Sequence, residues 1–388
     1  MSVSTDPGHF FQTDASAAKA ERRAAKRDNK NGDPIVIGSK LLAIIPDPLD
    51  PDRVYVAESG GLARRVFLET GGNASIYRGH TAPVTSLALD STAKTLFAGS
   101  WDKTIISWNT DTRRPLQTFT GHTDFVKSLL YLRTSDGSGL LLSGSSDASI
   151  IIWNATTSAR IYALSGHNRG IGALAIDPVA STLTTAVIYS GGSERDIKRW
   201  EILVEEPRKS REVGEPMLEH ETSVNKICFE GEDADMWTAS ADTTAKRIDI
   251  RDETKKEGGR SDTVLGHPDY VNDVVVEPKG RWAVTACRDE EVRVWDVGTG
   301  ELYHIYDGHS EDVMGLAIFG SKQDMVASVS IDGTIRKWSL RQADLIKAIE
   351  AKKEEKKEKE KPIVEEKKES LLTVEEEREL AELMEDDD

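Results

Sequence analysis

The chain has 388 residues, with 67 acidic against 50 basic side chains and a formal net charge of −17. That excess argues against direct binding to nucleic-acid phosphates, which needs clustered Lys and Arg. No apolar stretch approaches the length of a membrane span and the N-terminus lacks a signal-peptide core, so neither membrane insertion nor secretion is expected. The two cysteines, Cys228 and Cys287, sit in strand-like runs, as small core residues do in a reducing compartment, and the chain is expected in the cytosol, the nucleus or both.

Residues 1–33 carry Phe10 and Phe11 and then ASAAKAERRAAKR, an alanine- and arginine-rich stretch that predicts a short helix. Its basic residues also admit a nuclear-import reading, weighed against a plain solvated helix. Strand-like text begins at PIVIG (34–38) and continues through SKLLAIIPDPLDPDRVYVAESGGLARRVFLETG (39–71). From there a pattern recurs. Gly-His or a relic of it places histidines at His80, His122, His167, His220, His267 and His309, spaced 42, 45, 53, 47 and 42 residues apart. Each is followed 28 to 33 residues later by Trp108, Trp153, Trp200, Ile248, Trp295 or Trp338. Within one copy, TAPVTSLALD, AKTLFAGS, KTIISWN and RPLQTFT are short β-branched or apolar runs divided by turn residues, which predicts a four-stranded up-and-down sheet. Such a sheet cannot bury both faces alone, so the copies must pack against one another in a ring.

A Gly-His start and a Trp-Asp-like end at this period resemble the WD40-repeat family, over roughly residues 35–345. The resemblance implies an all-β, seven-bladed propeller. Its first blade is degenerate, because Ser39, Ala57, Gly61 and Phe67 stand at the repeat's polar positions and leave apolar packing alone to hold it. PIVIG is expected to close the ring by completing the last blade, in competition with ADLIKAI (343–349), which runs into helix-forming text. Closure removes the open sheet edge. The domain reading is an extension over 1–33, one propeller over 34–345 and a charged tail over 346–388.

In that family a hydrogen-bonded chain links the repeated Trp, a Ser or Thr of the second strand, the Gly-His histidine and a turn Asp, because buried polar groups are costly unless paired. Carried over, the complete sets are His122, Ser143, Asp147 and Trp153; His267, Thr285, Asp289 and Trp295; and His309, Ser328, Asp332 and Trp338. His80, Asp102 and Trp108 lack the hydroxyl, since Ala98 stands there. His167, Ser190 and Trp200 go with Glu194 in place of Asp, and His220, Thr238 and Asp242 face Ile248 instead of an indole, which leaves that network in question.

The histidines are thus mostly absorbed by the repeat, and no zinc-ligand spacing, phosphate-binding loop or nucleophile elbow occurs. No catalytic residue, metal or cofactor is expected. The expected activity is non-catalytic: a scaffold, monomeric itself, that binds other proteins within a hetero-complex. The face built from the turns after Gly-His and between strands two and three carries Trp101, Phe125, Arg169, Tyr270, Arg288 and Asp312, residue types that often supply interface energy. The competing reading is that Trp101 and Phe125 merely fold onto each other. Two charged insertions, 205–216 and 251–262, read as solvent loops on the opposite face.

The tail from 350 holds 17 acidic and 9 basic residues. KKEEKKEKEK reads as a solvated spacer, whereas Thr373 and Glu376 fit a capping box that starts a helix near 373–385, with Leu380, Leu383 and Met384 on one docking face. An alternative function is substrate receptor of a cullin-RING ubiquitin ligase, from the likeness of 325–341, ending Trp338, Ser339, Leu340 and Arg341, to an adaptor-binding motif. RIDIR (247–251) keeps Asp249 and Arg251 but lacks the Trp.

Overall fold

The structure is a computed structural model that describes residues 14–26, 29–72, 75–135, 137–230, 235–251 and 261–359. It divides into a unit spanning Met1–Gln342 and a second spanning Ala343–Asp388. In the first, seven four-stranded antiparallel sheets follow one another along the chain. Blade 1 runs from Leu41–Pro46 to Ser75–Arg78, blade 2 from Val84–Leu89 to Pro115–Thr120, and blade 3 from Val126–Leu132 to Arg160–Ser165. Blade 4 runs from Ile171–Ile176 to Arg211–Glu212, blade 5 from Val224–Glu230 to Ser261–Gly266, and blade 6 from Val271–Val276 to Leu302–Asp307. Blade 7 holds Val313–Phe319, Met325–Ser330 and Thr334–Ser339, and its fourth strand is Ile35–Val36. Ile35 faces Ile335 and Val36 faces Thr334 across that pair. The segment that competed for closure is instead helical, within Gln342–Lys359.

Every first strand carries the same irregularity. The register slips by one residue after Leu41, Val84, Val126, Ile171, Val224, Val271 and Val313. A bulge re-aims the extra side chain, and these seven, from Leu42 through Lys127 and Asn272 to Met314, line the mouth of the central cavity. Three of them tie neighbouring blades together: Thr85 Oγ1 donates to Val126 O at 2.7 Å, Asn225 Nδ2 to Val271 O at 2.8 Å and Asn272 Nδ2 to Val313 O at 2.8 Å.

Blade 1 corrects the expectation that apolar packing alone holds it. Buried Glu58 accepts from Arg64 Nε at 2.6 Å and buried Asp47 accepts from Arg65 Nε at 2.5 Å, so ion pairs replace the repeat's missing polar chain. The 205–216 insertion is also more than a solvent loop. Pro207–Lys209 forms a 3-10 turn, and Arg211–Glu212 pairs with Trp200 and Glu201 as the outer strand of blade 4. Of the second insertion, residues 252–260 lie outside the described residues.

The closing segment is fixed by more than its two ladder pairs. Lys337 N donates to Gly32 O at 2.7 Å, Asn29 Nδ2 to Gly308 O at 2.8 Å, and Arg336 Nη1 to Asn29 Oδ1 at 2.7 Å. Gly32 has φ +71°, and a Cβ there would lie 2.6 Å from the Trp338 ring. Gly32→Ala is therefore expected to cost about 2 kcal/mol, from left-handed strain plus overpacking. Chemical denaturation checks this, and an unchanged midpoint would remove the segment from the stability of blade 7.

Candidate partner-binding face

The repeat's polar chain has a direction. In blade 3, Trp153 Nε1 donates to Ser143 Oγ at 2.8 Å, which leaves the single serine hydrogen for His122 Nε2 at 2.7 Å. His122 Nδ1–H then points at Asp147 Oδ2, 2.8 Å away, so the neutral imidazole is the form that satisfies every group. Blade 7 repeats this through Trp338, Ser328, His309 and Asp332, and blade 4 through Trp200, Ser190, His167 and Glu194. Burial lowers the His122, His167 and His309 values, and their carboxylates only partly counter it. Burial alone would raise the Asp147 and Asp332 carboxyls; the donors around each outweigh it and hold both near 2.

Three blades depart from the scheme. In blade 2, where Ala98 lacks a hydroxyl, His80 Nε2 approaches Ala98 O at 3.1 Å and Trp108 Nε1 turns to Arg78 O at 3.2 Å. In blade 5 the network left in question holds without its indole: His220 keeps Asp242 at 2.7 Å and Thr238 at 2.8 Å. Blade 6 corrects a set read as complete. Arg293 takes both oxygens of Asp289, at 3.1 and 2.5 Å, and His267 Nδ1 turns to Leu265 O at 3.0 Å. Burial and the Arg293 charge lower His267 to about 4. Arg293 stands two residues before the repeated tryptophan, but blade 7 has Arg336 at the same position and keeps its His309–Asp332 contact, so the residue type alone gave no signal.

The glycine of Gly-His also gains a reason. A Cβ at Gly121, Gly166 or Gly308 would come within 3.0 Å of the Trp153, Trp200 or Trp338 ring. Blade 5, with Ile248 in place of the indole, has Glu219 in place of that glycine.

Trp101 and Phe125 stack across the boundary of blades 2 and 3, with centroids 5.1 Å apart and planes 18° apart, yet they remain 42% and 37% exposed. The rings therefore pack on each other, as the competing reading expects, and keep an outer face in water. Trp101 also borders the cavity mouth beside Lys127, Ser193 and Asn225. Tyr270 is exposed beneath the Arg288 guanidinium, 5.2 Å from the ring centroid, and Arg288 reaches Asp312 at 3.4 Å. Arg169 is exposed in its turn. Asp312 is not an open residue, because it also receives Arg23 at 3.2 Å.

That arginine belongs to a feature the pattern did not place. Helix α1, Asp14–Lys26, lies on this face over blades 6 and 7. Arg22 and Arg23 reach the Glu290 carboxylate at 3.3 and 2.8 Å, Arg23 reaches Glu311 at 2.6 Å, and Lys26 reaches Asp307 at 2.7 Å. The Glu290 side chain has no exposed surface and a φ of +77°, at the turn position that holds Gly333 in blade 7. Its visible signal was the acidic run Asp289–Glu291 in a turn that favours glycine.

The two arginines of the adaptor-like motifs make ion pairs within the propeller and stay partly exposed. Arg341 pairs with Asp324 at 2.8 Å, Arg251 with Asp177 at 3.2 Å, and Trp338 is in the core. Leu380, Leu383 and Met384 lie outside the described residues. No three His, Cys, Asp or Glu among the described residues are grouped to hold a metal, and no helix there is long and apolar enough to cross a membrane.

A family model described as "WD domain, G-beta repeat" matches residues 71–109, 113–154, 259–296 and 300–339. An uncharacterized WD repeat-containing protein of Schizosaccharomyces pombe is 35% identical over 354 residues, covering 86% of this chain and 89% of that one. Cilia- and flagella-associated protein 52 of Sus scrofa is 24% identical over 42% of this chain and 32% of its own. The F-box/WD repeat-containing protein sel-10 of Caenorhabditis elegans is 30% identical over 32% of this chain and 20% of its own.

Proposed function

This chain belongs to the WD40-repeat family, and on that premise we propose that it is a non-catalytic subunit that assembles a multiprotein complex through the face bearing Trp101, Phe125 and Tyr270. The observation that carries the reading is the stacked Trp101–Phe125 pair, exposed at the cavity mouth. The position before the turn Asp is small or polar in several blades, as at Ser146 and Ala241, so the repeat does not require an indole there. A large aromatic that the fold does not need, held rigid by its neighbour, is a low-entropy anchor for a partner.

Cross-linking mass spectrometry on the protein from its own cells tests this. Trp101→Ala is expected to abolish partner cross-links around the cavity mouth while shifting stability by no more than about 0.5–1 kcal/mol, as for a surface position. An unchanged set of cross-links would make the pair a rim-packing contact only and defeat the proposal.

A further inference from the structure

Helix α1 makes an unusual attachment. Over its last turns, residues 20–26, only Arg23 and Lys26 are even half-buried. No large apolar side chain among them anchors it. What holds it is charge: four carboxylates, Glu290, Asp307, Glu311 and Asp312, against Arg22, Arg23 and Lys26. Each ion pair that Glu290 makes among the described residues is to α1. The chain after the helix is held differently, by the Asn29, Gly32 and Ile35 contacts that close blade 7. The helix can therefore leave without opening the ring, and its departure uncovers a carboxylate cluster beside the exposed Tyr270–Arg288 pair.

We propose that this acidic cleft between blades 6 and 7 is a docking site for an arginine-bearing helical segment of a partner protein, and that α1 occupies it in cis until such a segment displaces it. The inference rests on the reading of this face as the partner surface, but on a sector that does not include Trp101. Charge complementarity selects the occupant. Glu290 is covered where an uncompensated carboxylate would not stay buried, so the cleft is shaped for cations that reach inward. Arginine suits it because one guanidinium can serve several carboxylates, as Arg23 serves Glu290, Glu311 and Asp312. A tethered occupant has an effective concentration on the order of millimolar, so it masks the site against weak competitors and yields to a tighter one.

The test uses the full chain with Arg22→Ala, Arg23→Ala and Lys26→Ala combined, and as probe a fluorescein-labelled peptide of residues 14–26. Fluorescence anisotropy is expected to show saturable binding to the triple variant at least tenfold tighter than to the wild type, weakening as salt rises. Adding Glu290→Gln to the triple variant is expected to abolish it, with the melting temperature reporting that the propeller remains folded. Equal affinity for wild type and triple variant, no saturable binding to the triple variant, or binding indifferent to Glu290→Gln would each overturn the proposal. Trp101→Ala in the triple variant leaves peptide binding unchanged if the two sectors are distinct, so a failure at Trp101 and a failure here are read separately.

Discussion

Trp153→Ala is expected to lower the unfolding free energy by about 3–5 kcal/mol, the range for truncating a large buried aromatic. The indole is 1% exposed, meets Phe119 edge-on at 5.8 Å and donates to Ser143. Truncation leaves a cavity between two blades and strips one donor from a fully buried hydroxyl. Trp153→Phe still removes the N–H but leaves a smaller cavity, and its cost should be lower, about 1–2 kcal/mol. In blade 5, where no indole donates, Thr238 Oγ1 lies 2.8 Å from His220 Nε2 and 3.3 Å from Lys246 O, so two acceptors compete for its one hydrogen. Urea denaturation of both variants beside Trp101→Ala decides the matter. The two kinds of tryptophan divide here, because a repeated one such as Trp153 is structure and Trp101 is surface. Should Trp101→Ala cost as much as Trp153→Ala, that division fails.

The repeat made the ring legible because period, strand rhythm and the Gly-His start restate one packing problem in six copies, and the rhythm alone carries over to the degenerate seventh. Closure by residues 34–38 could be read because a strand-like run at the start was left without a sheet of its own. What could not be read were replacements of one pairing by another. Arg293 drawing Asp289 away from His267 depends on side-chain reach across a strand, which periodicity does not encode. The ion pairs of blade 1 replace a polar chain whose loss was visible, while the replacement lay in ordinary surface-type residues, Asp47, Glu58, Arg64 and Arg65. The position of α1 was hidden for a further reason. Its sequence predicts a helix, but its site is defined by carboxylates 264 to 289 residues away, and no local pattern links them.

Acid is expected to weaken this protein well before its carboxylates titrate. Burial lowers His122, His167 and His309 below their ordinary value and lowers His267 from 6.5 to about 4. Lowered imidazoles stay neutral in the folded chain while the unfolded chain takes up protons below about pH 6.5, so the unfolded state binds more protons and stability rises with pH across that window. Their contribution is complete above about 6.5 and is lost as pH falls toward each folded value; for His267 alone the loss approaches about 3 kcal/mol near pH 4, at 1.36 kcal/mol per unit. Asp147 and Asp332, held near 2 against 3.8, add a second loss that begins only below about pH 4. Glu277 and Glu291, raised chiefly by burial, act in the opposite sense: what they contribute at low pH is lost as pH rises from about 4.5 through their folded values. The window from 6.5 to 5.5 is therefore where the imidazoles are best read. The urea midpoint is expected to fall steadily across it, and His267→Gln, which keeps a polar group near Thr285 but cannot titrate, should flatten that fall whatever it does to stability at pH 7.5. A midpoint constant between pH 7.5 and 5 would mean that the buried imidazoles accept protons in place, with Ser143 then accepting from both Trp153 and His122 instead of passing its hydrogen to the imidazole.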